Sequence, residues 1–146
     1  MSGQTVEVID SLVTVRRLPK RGTCHPIVVA GEMDTCGSPR LREALEAILS
    51  GNGDDFGTGD RIVIHTERGE FSLEDGSSFL SAGLEFIDAS GLGAMVGALK
   101  RARERGGSIL LVIPTPSIKR VFEITGFDKV FDIFDKPEAA YQMAMA

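Results

Sequence analysis

The chain has 146 residues, 42% apolar and 25% charged, enough for one globular core without disulfide or metal staples. A formal charge of −5 argues against a nucleic-acid module, whose phosphate contacts need a basic stripe of Lys and Arg. The opening residues, with Glu7 and Asp10, lack the basic-then-apolar pattern of an export signal, and the longest aliphatic run, residues 109–113, is far below the ~20 residues that cross a bilayer. These features predict a single cytoplasmic domain over residues 1–146, loosely ordered at 1–9, with no direct nucleic-acid or membrane contact.

In chain order, residues 12–18 and 27–30 are β-branched runs separated by Pro19, Gly22 and Pro26, which predicts a hairpin. Ser38-Pro39 supplies an N-cap and a first-turn proline for a helix over 39–49, with Leu41, Ala44, Leu45 and Ile48 on its buried face. Residues 51–59, with Asn52, Asp54 and Asp55, form a polar turn before the strand 61–65. Residues 66–83 have no clean period and carry Gly69, Gly76 and Gly83, so they predict an inserted excursion, with Phe71, Leu73, Phe79 and Leu80 packing somewhere. A strand at 84–88 leads into a helix striped by Leu92, Met95, Val96, Leu99 and Ala102 and stopped by Gly106-Gly107. Met95 in that stripe is core filler. Residues 108–113 form a central strand. A helix from Ser117 then buries Ile118, Val121, Phe122 and Ile124, and is followed by a last strand at 130–134 and a terminal helix at 138–145. The order predicts an α/β fold: a mixed central sheet with about four helices packed mostly on its faces, parallel where helices cross over.

The chemistry concentrates at residues 84–93, where an apolar strand runs into Asp88, Ala89, Ser90 and a glycine-opened helix. Unpaired N–H groups and roughly half a positive charge at such a helix start favour a phosphate or a partner's anion. Either Asp88 or Ser90 can cap it. Glu32 and Asp34 end an earlier strand; either they gate the same edge as Ser90, or Asp34 caps its own turn and Glu32 is solvated. The glycines at 91, 93 and 97 resemble a dinucleotide turn only superficially. The last is one residue late and no ribose-binding acid follows, so they read better as points of close helix approach. Ser90 lacks a nucleophile elbow and a histidine partner, so no catalytic residue is assigned. His25 and His65 read as structural or solvated. With Cys24 and Cys36 they lack zinc-finger spacing, so neither metal nor cofactor is expected. Cys24 and Cys36 read as free thiols, with a regulatory bridge within or between chains as the redox alternative. Lys100, Arg101, Arg103 and Arg105 form either a solvated helix face or a docking surface for an acidic partner.

Three stretches in order, residues 31–34 (Gly-Glu-Met-Asp), 86–93 (Phe-Ile-Asp-Ala-Ser-Gly-Leu-Gly) and 113–135 with its Pro116-Ser117-Ile118 helix start, resemble the STAS domains of bacterial anti-sigma-factor antagonists over about residues 10–146. The resemblance implies a non-enzymatic partner switch. The antagonist binds an anti-sigma factor with a serine kinase/ATPase fold and frees a sigma factor for transcription, until phosphorylation ends the complex. It implies a partner-binding set of Glu32, Asp34, Asp88, Ala89, Ser90, Gly91 and Leu92, and a weak homodimer is compatible with it. The alternative function is a STAS accessory subunit of a transporter or stress-signalling assembly. The family's phosphoacceptor follows the aspartate, and that position here is Ala89. Either the chain escapes this switch, or Ser90 is the phosphoacceptor. The first reading is preferred, because a one-residue move on a helix turns the side chain by about 100°. The family's strand also joins the motif by a short link where residues 66–83 intervene here.

Overall fold

The structure, a computed structural model, describes residues 13–50 and 56–145. The expected order at residues 1–9, the strand start at Leu12 and the turn residues Asn52, Asp54 and Asp55 lie outside these. The elements are β1 (Val13–Arg17), β2 (Cys24–Met33), α1 (Ser38–Leu49), β3 (Arg61–His65), β4 (Gly69–Ser72), β5 (Ser78–Ser81), β6 (Leu84–Ile87), α2 (Ala89–Glu104), β7 (Ser108–Val112), α3 (Pro116–Thr125), β8 (Asp132–Phe134) and α4 (Pro137–Met145).

The main sheet has the order β1-β2-β3-β7-β8, and β6 also pairs with β2. The hairpin of β1 and β2 is antiparallel, with Val13 opposite Gly31. The other ladders are parallel, as expected where α1, α2 and α3 carry the chain across between strands. β2 is long enough to serve two partners on one side. Residues 24–28 pair with β3, and its far end pairs with β6 after a register shift at Gly31, whose φ of 95° suits glycine.

Strand alternation sorts the core. Ile27, Val29, Ile62, Ile64, Ile109 and Leu111 face α1, α2 and α3, and are 0% exposed. Cys24, Val63, Leu110 and Val112 face the other way and meet Ala140 and Tyr141 of α4. The stripe Leu92, Met95, Leu99 and Ala102 is buried as its spacing predicts. The expected mixed sheet with four helices on its faces is what the chain forms.

Residues 66–83 interrupt a single strand line. Thr66 leaves the sheet with its N–H on Val112, and Leu84 re-enters with its N–H on Thr66 O, 2.9 Å away. Between them β4 and β5 form an antiparallel two-stranded hairpin. Phe71 and Phe79 stack there at 5.8 Å. Leu80, expected to pack, is 82% exposed, because it points away from the sheet.

Three further expectations are corrected. Ile124 is 76% exposed: it lies in the last turn of α3, past the buried Ile118 and Phe122. The last strand is shorter than 130–134, since Phe127–Lys129 form a 3-10 turn and only Asp132–Phe134 pair. Gly37, not Ser38, is the N-cap of α1, because the Asp34 carboxylate already accepts from the N–H groups of Cys36 and Gly37.

Candidate functional site

The β6–α2 corner stands on the parallel pairing of Met33 with Ile87. Asp88 continues that ladder with its N–H on Met33 O and an extended backbone, then turns the chain into α2. Its Oδ1 accepts from Ser90 N at 2.8 Å and from Gly91 N at 3.4 Å, so Asp88 rather than Ser90 is the cap. Gly91 is the reason that the helix can start so close to β2. A Cβ there would lie 2.7 Å from both Met33 Cγ and Met33 O. The expectation of close helix approach holds at Gly91. Gly93 has open space around it.

The end of β2 turns beside this helix start. Asp34 Oδ1 accepts from Cys36 N at 3.0 Å and Gly37 N at 2.9 Å, which makes it the cap of its own turn, and Glu32 is exposed. One side-chain hydrogen bond joins the two turns: Thr35 Oγ1 and Ser90 Oγ are 3.2 Å apart. Ala89, the first residue of α2, is exposed; Ser90 is half-buried. Gly91 and Leu92, both in the expected partner-binding set, are buried. They support the corner from inside and present no side-chain surface. The outward face therefore consists of Glu32, Thr35, Cys36 and Ala89, flanked by Phe86 opposite Glu32 and 47% exposed. Thr35 and Phe86 were not singled out from the sequence. Thr35 is silent there because its partner is 55 residues away, and Phe86 because an apolar strand residue reads as core.

The remaining candidates lie elsewhere. Cys24 and Cys36 are both free: Cys24 opens the ten-residue β2, and Cys36 lies in the turn three residues past its other end. At ~3.3 Å per residue the strand alone spans about 30 Å, and three turn residues recover at most ~10 Å of it, so the pair stays far beyond the reach of a disulfide within one chain. Burial pushes the Cys24 thiol above its ordinary pKa. His25 is buried, with Nε2 2.9 Å from Asp60 Oδ2. His65 links Glu67, 2.9 Å from Nδ1, to the Tyr141 hydroxyl, 2.8 Å from Nε2. Both histidines are buried and hydrogen-bonded rather than solvated. Burial raises the Tyr141 pKa to about 12 against a partial offset from Arg21. On the basic helix face Arg101 pairs with Glu46, while Arg103 and Arg105 donate to the carbonyls of Val130 and Phe56. Among the described residues no cluster of three or more His, Cys, Asp or Glu side chains is placed to hold a metal, and no helix is long and apolar enough to cross a membrane.

Comparison with known proteins places this architecture. Residues 17–140 match the family model of the STAS domain. The anti-sigma-B factor antagonist of Listeria monocytogenes is 32% identical over 117 residues, 80% of this chain and 84% of that protein. The anti-sigma-B factor antagonist of Bacillus subtilis is 32% identical over 114 residues, 78% of this chain and 84% of that protein. The fold is shared with the crystal structure of an anti-sigma factor antagonist from Mycobacterium paratuberculosis, at a TM-score of 0.65 and 20% identity over 94% of this chain and 97% of that one. A STAS fold with this level of identity to two antagonists settles the family: the chain belongs to the STAS domain proteins of the anti-sigma factor antagonist family, which are not enzymes.

Proposed function

We propose that this protein is a cytoplasmic anti-sigma factor antagonist that grips an anti-sigma factor of serine kinase/ATPase fold through the β6–α2 corner, freeing a sigma factor, and that phosphorylation at position 89 cannot end the complex. The observation that carries the second half is Ala89, an exposed methyl group at the first position of α2. A phosphate there would add about −1.5 to −2 charges inside the contact surface and break docking by repulsion and desolvation. Alanine has no oxygen to receive it. Ser90, the neighbouring hydroxyl, is half-buried and hydrogen-bonded to Thr35, which supports a structural role.

Docking through Glu32, Asp88 and the exposed residues around them is tested by calorimetry with the purified anti-sigma factor. Asp88→Lys should weaken the complex at least tenfold. Asp88→Asn keeps a capping oxygen, so it separates the charge from the cap. Affinity unchanged in Asp88→Lys would remove the corner from the interface. The family assignment favours this reading over a transporter or stress-complex subunit, and partners recovered by affinity purification separate the two.

A further inference from the structure

The sheet face opposite α1 and α2 is only partly covered. Over β3 and β7 it carries Tyr141 of α4 and, from the inserted hairpin, Phe71, whose ring centroid lies 5.3 Å from that of His65. Toward the corner the same face ends in an aromatic side chain left open. Side chains alternate along a strand, so Met33 and Ile87, paired in register, turn into the core, while the preceding pair, Glu32 and Phe86, turns the other way. Glu32 is exposed, and so is nearly half of Phe86.

Phe86 differs from the other exposed apolar side chains in kind and in mounting. Among the described residues Leu80, Ile124, Val130, Met143 and Met145 are also exposed, and Phe86 is the only aromatic. Leu80 sits on a two-stranded hairpin, Ile124 in the last turn of α3, and Met143 and Met145 in the last turn of α4. Phe86 stands in a strand laddered to β2, flanked by the buried Leu84 and Ile87 and two residues before the Asp88 cap. Such a ring is held in place before a partner arrives, has only two side-chain torsions to lose, and keeps a large apolar area still to bury. Aromatic side chains are enriched in the buried core of protein interfaces, where a handful of residues carry most of the affinity.

We propose, on the reading that an anti-sigma factor docks at this corner, that Phe86 is the anchor of that docking: its ring enters an apolar socket of the partner, and Lys or Arg side chains at the rim of the socket meet Glu32 beside it. Phe86 pairs with Glu32, which belongs to the outward face of the corner, so anchor and corner form one continuous contact. Charge decides against a second copy of this chain as the occupant. Two copies meeting here would bring two Glu32–Phe86 patches together, acid toward acid, on chains of formal charge −5.

Calorimetry with the anti-sigma factor, recovered by affinity purification and then purified, tests this on variants of the full chain. Asp88→Lys reports whether the corner is in the interface at all. Phe86→Ala should weaken the complex about tenfold or more, the loss expected of an anchor. Phe86→Leu, which keeps a smaller apolar side chain and serves if Phe86→Ala does not fold, should weaken it about threefold. Glu32→Lys should weaken it too, and more at low salt than at high. Leu80→Ser, at the more exposed apolar residue of the hairpin, should leave it unchanged. A loss in Asp88→Lys with none in the folded Phe86 variants overturns the anchor and leaves the docking reading standing; no loss in either overturns both. Unchanged or tighter binding in Glu32→Lys overturns the cationic rim. An equal loss in Leu80→Ser, or a dimer of the free chain in sedimentation that Phe86→Ala dissociates, overturns the assignment of the ring to this partner.

Discussion

The β6–α2 corner and the β4–β5 hairpin are joined by only Ala82, Gly83 and the four residues of β6, yet they are built to opposite tolerances. The corner is held tightly: Asp88 caps α2, Asp34 caps its own turn, and Gly91 lies so close to Met33 that no side chain fits. The hairpin is mostly exposed, its turn glycine Gly76 has nothing within 4 Å of a built Cβ, and it hangs from a strand line that continues without it. Rigid placement thus belongs to the surface proposed for a protein partner. The hairpin is where a chain of this fold can add length without disturbing the sheet.

The contrast is broken most directly at the glycines. Gly91→Val should cost about 2–3 kcal/mol, as overpacking of a tight contact does, and Gly93→Ala on the same helix should be neutral or stabilising by up to ~1 kcal/mol. Chemical denaturation midpoints measure both, and equal effects would mean that Gly91 is not a tight contact. Asp88→Ala should cost about 1 kcal/mol through the lost cap, and Asp88→Asn a few tenths at most. Tyr141→Phe leaves His65 Nε2 unpaired and should cost ~1 kcal/mol in the same assay.

Tyr141 also predicts a pH dependence. Its folded pKa, about 12, lies above the ordinary 10.0, so the folded state holds its proton more tightly. The stability that this contributes is complete below pH 10 and is lost as the pH climbs from there toward 12. Tyrosinate absorbance of the single tyrosine should therefore rise with a midpoint near 12 in the native protein and near 10 in denaturant. Two coincident midpoints would show that the hydroxyl is not buried. Leu80→Ser, at the most exposed apolar position of the hairpin, should shift stability by no more than ~0.5 kcal/mol.

The same difference in tolerance governs how much was legible in the sequence. Helix α2 and strand β7 announce themselves because burial on one face or both imposes a period, and Leu92, Met95, Leu99 and Ile109 keep it. Ile124 misled because it follows Val121 at a buried spacing, but the helix ends before that spacing meets the core. The hairpin is legible only as an excursion, since four-residue strands with most of their residues in solvent carry no pattern. At the corner, local chemistry is readable as far as a cap at Asp88 or Ser90 and an alanine between them; the structure decides for Asp88. What was not readable is long-range, namely the Thr35–Ser90 bond and the burial of Gly91 and Leu92 behind the surface they seemed to line.

The most direct measurement is the affinity of this protein for the proposed anti-sigma factor partner before and after incubation with Mg-ATP, with intact mass read on the same samples. The account predicts an unmodified chain and unchanged affinity, and, for Ala89→Ser, one added phosphate and a lost complex. A phosphate mapped to Ser90 of the unaltered chain, with loss of binding, would contradict it.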